Sequence, residues 1–264
     1  MPLEFDDERR NWLPYILPVV VVAALGVALY FARKTRDAVP EPQAQTEVPA
    51  AAAPKVNNVI DPPPDPEEPL PSLQASDPSM LEAVTQLFGD KLDSYIVPTD
   101  VIRHIVVTID NLPRKKAAVQ LWPLKPAGGS FATLESGGEL ALNANNYTRY
   151  GPIMKLVKAC NVRQLATVYK RFYPLFQQAY VDLGYPEGYF NNRMVEVIDH
   201  LLQTPELTEP VKLTQPSVYF EFADAALEQR SAGQKLLIRL GNTNAAAVKL
   251  KLRELRREIA KQPE

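Results

Sequence analysis

The sequence predicts an α+β fold that is predominantly helical: a single folded domain with a small hairpin, carried behind a transmembrane helix on a disordered spacer. Three observations predict it. Residues 12–31 read WLPYILPVVVVAALGVALYF without a charge. Residues 37–77 are acidic and rich in proline. From Pro78 onward, apolar residues recur at helical spacing with aromatics among them.

The apolar run is read as an anchor over residues 12–32, after a short tail, 1–11. At about 1.5 Å of rise per residue it spans roughly 30 Å, the thickness of a bilayer's hydrocarbon core. Arg9 and Arg10 bracket one end and Arg33, Lys34 and Arg36 the other, with Trp12, Tyr15 and Tyr30 near the ends. A cleaved signal peptide is the rival reading, but its apolar region is shorter, and Tyr30-Phe31-Ala32-Arg33 lacks the small residues of a cleavage site. Orientation rests on opposing signals. The basic flank leans toward a cytoplasmic C-terminal side, whereas a long acidic Pro/Ala spacer is familiar from proteins that reach across an envelope space.

The spacer, 33–77, is read as disordered. Its Pro62-Pro63-Pro64 core and near-absence of large apolar residues leave too little surface to offset the entropy of ordering. Residues 78–264 remain as one domain. The whole chain carries −2, and residues 1–77 carry −6, so this domain stands at about +4, too mild a charge to imply nucleic acid. The single Cys160 excludes an internal disulfide.

Within the domain, Ser79 with Glu82 has capping-box spacing and predicts a helix over 79–88, stopped by Gly89. Thr99 or Asp100 caps the next, with Ile102, Ile105, Val106 and Ile109 on one face, ending before Pro113. Residues 119–124 are expected as a strand. Residues 130–134 and 139–143 flank Gly137-Gly138 and predict a hairpin. Residues 145–159 are expected as one helix, and 162–183 as the longest, stopped by Gly184. Residues 188–203 follow as a helix with Val195, Ile198, Leu201 and Leu202 inward. Short strands are expected at 211–214 and 218–222, then helices over 232–240 and 244–261.

The densest stretch is FYPLFQQAYVDLGYPEGYFN, residues 172–191. Its rings can form the hydrophobic centre around a helix and a Gly184-to-Gly188 turn. Alternatively they form a concave aromatic surface flanked by Arg171 and Arg193 that stacks on a sugar or a peptide. The candidate partner-binding residues are Arg171, Tyr173, Tyr185, Tyr189, Asn191 and Arg193.

This stretch, with VEVIDHLL (195–202), the FAD…LE…SAGQKLLIRLG run (222–241) and IDNLP (109–113), resembles an uncharacterised proteobacterial family. Its members carry one N-terminal membrane span and a domain of unknown function. The resemblance implies a membrane-anchored envelope protein of Gram-negative bacteria; taken with the spacer, it leads to the expectation of a single pass through the inner membrane with the C-terminal domain in the periplasm. It implies no activity and no site residue.

No catalytic residue, metal ligand or cofactor-binding motif is assigned. The sequence has no nucleophile elbow, Walker loop, dinucleotide fingerprint or zinc-protease motif. Glu196 and His200 share a helix face, as do Asp100 and His104, and would form a metal site only if those helices met. The last helix sets Val248, Leu252, Leu255 and Ile259 among basic residues, either a surface for anionic lipid or a partner, or a docked helix with its charges in water. The expected function is binding of another envelope component, an envelope protein or peptidoglycan. The alternative is an enzyme acting on envelope glycan or peptide through carboxylates such as Asp182, Glu187, Glu196 or Asp199.

Overall fold

The computed structural model describes Asn58, Ile60, residues 69–207 and residues 210–260. The expected anchor and most of the spacer lie outside them. Among the described residues no helix is long and apolar enough to cross a membrane. The fold is predominantly helical with one small antiparallel sheet, an α+β architecture.

Helix α1 spans Asp77–Phe88 and ends at Gly89, whose φ of 73° suits glycine. It starts two residues before the capping-box position, because Asp77 and Pro78 are themselves good first-turn residues. Helix α2 spans Val101–Asn111. Neither of its expected caps bonds it. Asp100 sits in the left-handed region at φ 50° and makes no side-chain cap. The cap comes from α1 instead: the Asp77 carboxylate accepts from the backbone N–H groups of Asp100 at 2.8 Å and Val101 at 2.9 Å.

The strand expected at 119–124 is a 3-10 turn, Val119–Leu121. Pro123 has no N–H to give a ladder, and pairing there shrinks to a single bridge between Ile96 and Leu124. The hairpin forms about the expected Gly137-Gly138 turn, but its first strand runs from Thr133 rather than from residue 130. Strands β1 (Thr133–Ser136) and β2 (Glu139–Leu142) pair in antiparallel register, Ser136 opposite Glu139. Gly137 and Gly138 between them both take positive φ, 60° and 81°, which the tight primed turn requires. Strands β3 (Lys212–Thr214) and β4 (Glu221–Phe222) extend the hairpin into one sheet of order β1-β2-β3-β4.

The helix expected over 145–159 is broken into α3 (Asn145–Arg149) and α4 (Gly151–Ala159). Pro152 cannot donate to the preceding turn, and Gly151 weakens the join. Helix α5 (Val162–Asp182) is the longest, opened by Asn161, whose side chain accepts from the N–H groups of Arg163 and Gln164. Helices α6 (Phe190–Leu202), α7 (Ala225–Glu228), α8 (Ala232–Leu240) and α9 (Asn242–Ile259) complete the chain.

Three apolar clusters hold these elements. The largest joins α1, α2, α5, α6 and the end of α9 around Ile102, Phe172, Phe190 and Ile198. Ile60 and Leu73, ahead of α1, are buried in it. A second joins α4, α6, α8 and α9, and a third seats the sheet on Ile238 of α8. All three close among residues 60–260, within a compact unit running from Pro54 to Glu264.

Candidate functional site

The site is built around a buried acid. Asp110 lies in the last turn of α2, in register with Ile102 and Val106, and its side chain is 2 % exposed. Such a burial is costly unless the charge is paired and hydrogen-bonded. Here Oδ1 accepts from Arg193 Nε at 3.1 Å, and Oδ2 accepts from Arg114 Nη2 at 2.5 Å and from the Tyr185 hydroxyl at 3.3 Å. Arg193 Nη2 also donates to the Asp110 carbonyl at 3.0 Å. Arg193 projects from α6 and uses its remaining arm on Glu196 Oε1 at 2.8 Å. Burial alone would lower the Arg193 pKa. The hydrogen bond to Glu196, with the charges of Glu196 and Asp110, outweighs it and raises the value.

The turn between α5 and α6 supplies the aromatic wall. Gly184 takes φ 111°. At Gly188 a Cβ would lie 2.9 Å from the Tyr180 ring, so the turn needs glycine to sit this close to α5. Gln177 holds the turn from below, donating to the Gly188 carbonyl at 2.7 Å and accepting from the Phe190 N–H at 2.9 Å. Tyr185 folds back and stacks on Tyr180, with centroids 4.5 Å apart. Burial, and then the Asp110 charge, push the Tyr180 hydroxyl up to about 12. Tyr189 faces outward and is 41 % exposed. Together Asp110, Tyr180, Tyr185, Tyr189, Arg193 and Glu196 line a shallow cleft of about 290 Å³.

Of the six residues singled out in the sequence, the fold brings Tyr185, Tyr189 and Arg193 into this cleft. It does not bring the others there. Arg171 is exposed, with its guanidinium 5.6 Å from the centre of the Phe172 ring. Tyr173 is half-buried and donates to Gln177 Oε1 at 3.1 Å. Asn191 is fully buried and belongs to the scaffold: it accepts from the Tyr169 hydroxyl and donates to the carbonyls of Asn58 and Ile259. Asp110 and Arg114 were not singled out. The available signal was an acid recurring at four-residue steps after Ile102 and Val106, on the face otherwise given to the core.

The other constellations are spent within the fold. Asp182 pairs with Arg103 at 3.0 Å, and Asp199 makes a two-pronged pair with Arg256 at 2.5 and 3.0 Å. His200 Nε2 lies 2.8 Å from Ser231 Oγ. Among the described residues no group of three or more His, Cys, Asp or Glu could hold a metal ion. Cys160 is buried, which pushes its thiol pKa up, the direction opposite to a reactive thiolate. Helix α9 is docked rather than free: Lys249 Nζ donates to the Thr204 carbonyl, Lys251 Nζ to the Cys160 carbonyl, and Arg256 is held by Asp199.

Residues 101–256 match a family model described as protein of unknown function (DUF3014), and the chain belongs to that family. The cleft residues lie within the matched span. No curated protein and no solved structure matches the chain.

Proposed function

For this member of the DUF3014 family, we propose a membrane-anchored envelope protein whose folded domain binds another envelope component through the cleft beside the Tyr185–Tyr189 turn. The observation that carries this reading is the contrast within the cleft. Its floor is fixed, with Asp110 held by two arginines and a tyrosine, while Tyr189 and Glu196 stand out at 41 % and 66 % exposed. A rigid base with an exposed ring and an exposed acid is suited to recognition, because little freedom remains to be lost on binding. The anchor is supported by the uncharged run at residues 12–31, and a periplasmic placement by the long acidic spacer after it.

The enzyme alternative gains nothing from the geometry. A carboxylate acting as acid or base needs room for a proton and a reacting atom. Of the carboxylates it rests on, Glu196 is engaged by Arg193, Asp182 and Asp199 are paired elsewhere, and Glu187 stands exposed on the turn.

The test is co-purification of the intact chain from native membranes after crosslinking, wild type against Tyr189→Ala. Capture of a partner by the wild type and its loss in Tyr189→Ala, at unchanged melting temperature, is the expected result. Equal capture by both proteins would remove the cleft from the interface. A reporter fused after Gln262 should be active only in its periplasmic form; cytoplasmic activity there would overturn the placement.

A further inference from the structure

We propose that residues 114–125, reading RKKAAVQLWPLK, dock on the surface of an anionic lipid bilayer. The segment joins a run of bases to a run of exposed aliphatic side chains. Val119, Leu121 and Leu124 are 56 %, 38 % and 38 % exposed, within six residues of one another. Lys115, Lys116 and Lys125 are exposed beside them, and Arg114 at the cleft rim is 53 % exposed. No Asp or Glu occurs between Asn111 and Leu134. Lys115 and Lys116 make no ion pair among the described residues.

Backbone geometry presents the segment as a fixed surface. The Val119–Leu121 turn is held to α2 by the Thr108 hydroxyl, which donates to the Leu121 carbonyl at 3.3 Å. Its far end is pinned to residues 95–97: the Val97 N–H donates to the Pro123 carbonyl at 2.8 Å and the Lys125 N–H to the Tyr95 carbonyl at 2.7 Å. The aliphatic side chains therefore stay out on an ordered loop.

Charge complementarity selects the occupant. Protein interfaces are depleted in lysine and rich in aromatics and arginine, whereas a lysine-flanked aliphatic loop suits lipid phosphates above and acyl chains below. The other basic surface, α9, turns several of its cations inward or onto carboxylates. The tyrosine cleft carries acids as well as bases, which a negative surface would repel.

The test uses residues 54–264, since the apolar clusters close within them. Trp122 is then the only tryptophan, the chain's other being Trp12, and it reports from inside the loop. The protein is mixed with vesicles of phosphatidylcholine alone, or of phosphatidylcholine and phosphatidylglycerol in equal parts. Expected are sedimentation and a blue-shifted Trp122 emission with the mixed vesicles only, both weakened by added salt. Lys115→Gln and Lys116→Gln should each lower partitioning about fivefold, and Leu121→Asp should abolish it, with melting temperatures unchanged. Equal binding to both vesicles, binding to neither, or unaltered binding by the lysine variants would overturn the proposal. A face made for a protein partner would give the second of these results.

Discussion

Asp110, 2 % exposed, is bonded by Arg193, Arg114 and Tyr185 at the floor of the cleft. Asp110→Ala would leave Arg193, 19 % exposed, with Glu196 as its one remaining carboxylate among the described residues, and the Tyr185 hydroxyl without its acceptor. Chemical denaturation should register a loss of about 3–5 kcal/mol, the range for breaking a buried pair from one side. Tyr185→Ala should also destabilise, since its ring stacks on Tyr180, whereas Tyr189→Ala should fall within about 0.5 kcal/mol of wild type. That difference separates two tyrosines which look equivalent in the sequence. What divides them is the direction each takes out of a glycine-bounded turn, and direction is set by Gln177 and Tyr180 on α5.

At the scale of elements, several junctions are made by groups far apart in the chain. Asp77 of α1 caps α2, so Asp77→Ala should cost about 1 kcal/mol, the ordinary value of a lost cap, and should fray α2 in hydrogen exchange at Asp100 and Val101. Glu228 of α7 joins β4 to α8: it accepts from the Phe222 N–H at 2.9 Å and from Lys235 Nζ at 2.6 Å. Burial works to raise its pKa, but the Lys235 and Phe222 hydrogen bonds and the nearby cations win and lower it. A carboxyl depressed in the folded state stabilises fully above its unfolded pKa and loses that contribution as pH falls through the folded value. Glu228→Gln should therefore be about 1–3 kcal/mol less stable than wild type at neutral pH. The gap should narrow as the pH drops below the ordinary carboxyl value of 4.5.

At the scale of the molecule, the core reaches back into the proline-rich stretch. Ile60 and Leu73 are 8 % and 5 % exposed, in the largest apolar cluster, and the Asn58 carbonyl accepts from buried Asn191. Residues 54–264 should melt in one cooperative transition. Starting instead at Pro78 removes both apolar side chains, each worth about 1.5–3 kcal/mol of burial. That shorter protein should melt well below the longer one. Equal melting temperatures would mean that these side chains contribute nothing to the core.

Features that depend on near neighbours in the chain could be read directly from the residues. Gly137-Gly138 required the hairpin turn, Gly89 ended α1, and the apolar spacing of α5 marked its buried face, because turn chemistry and helical period are local. Local signals fell short wherever the outcome depended on a partner distant in the chain. Residues 119–124 have strand-like composition, but Pro123 and the lack of a partner strand leave a turn with one bridge. The sequence left α9 open between a basic docking surface and a docked helix with its charges in water; its partners, Thr204, Cys160 and Asp199, decide for docking and turn several of those charges inward. Asn191 and Tyr189, two residues apart, part company completely, one fully buried and the other 41 % exposed. The membrane-spanning expectation for residues 12–31 rests on length and apolarity alone and needs no fold. The cleft does need one: its acids, its arginines and its tyrosines come from α2, the loop after it, α5, the turn between α5 and α6, and α6 itself. A charge's cost or use is fixed by what stands within hydrogen-bond reach, and that is a property of packing.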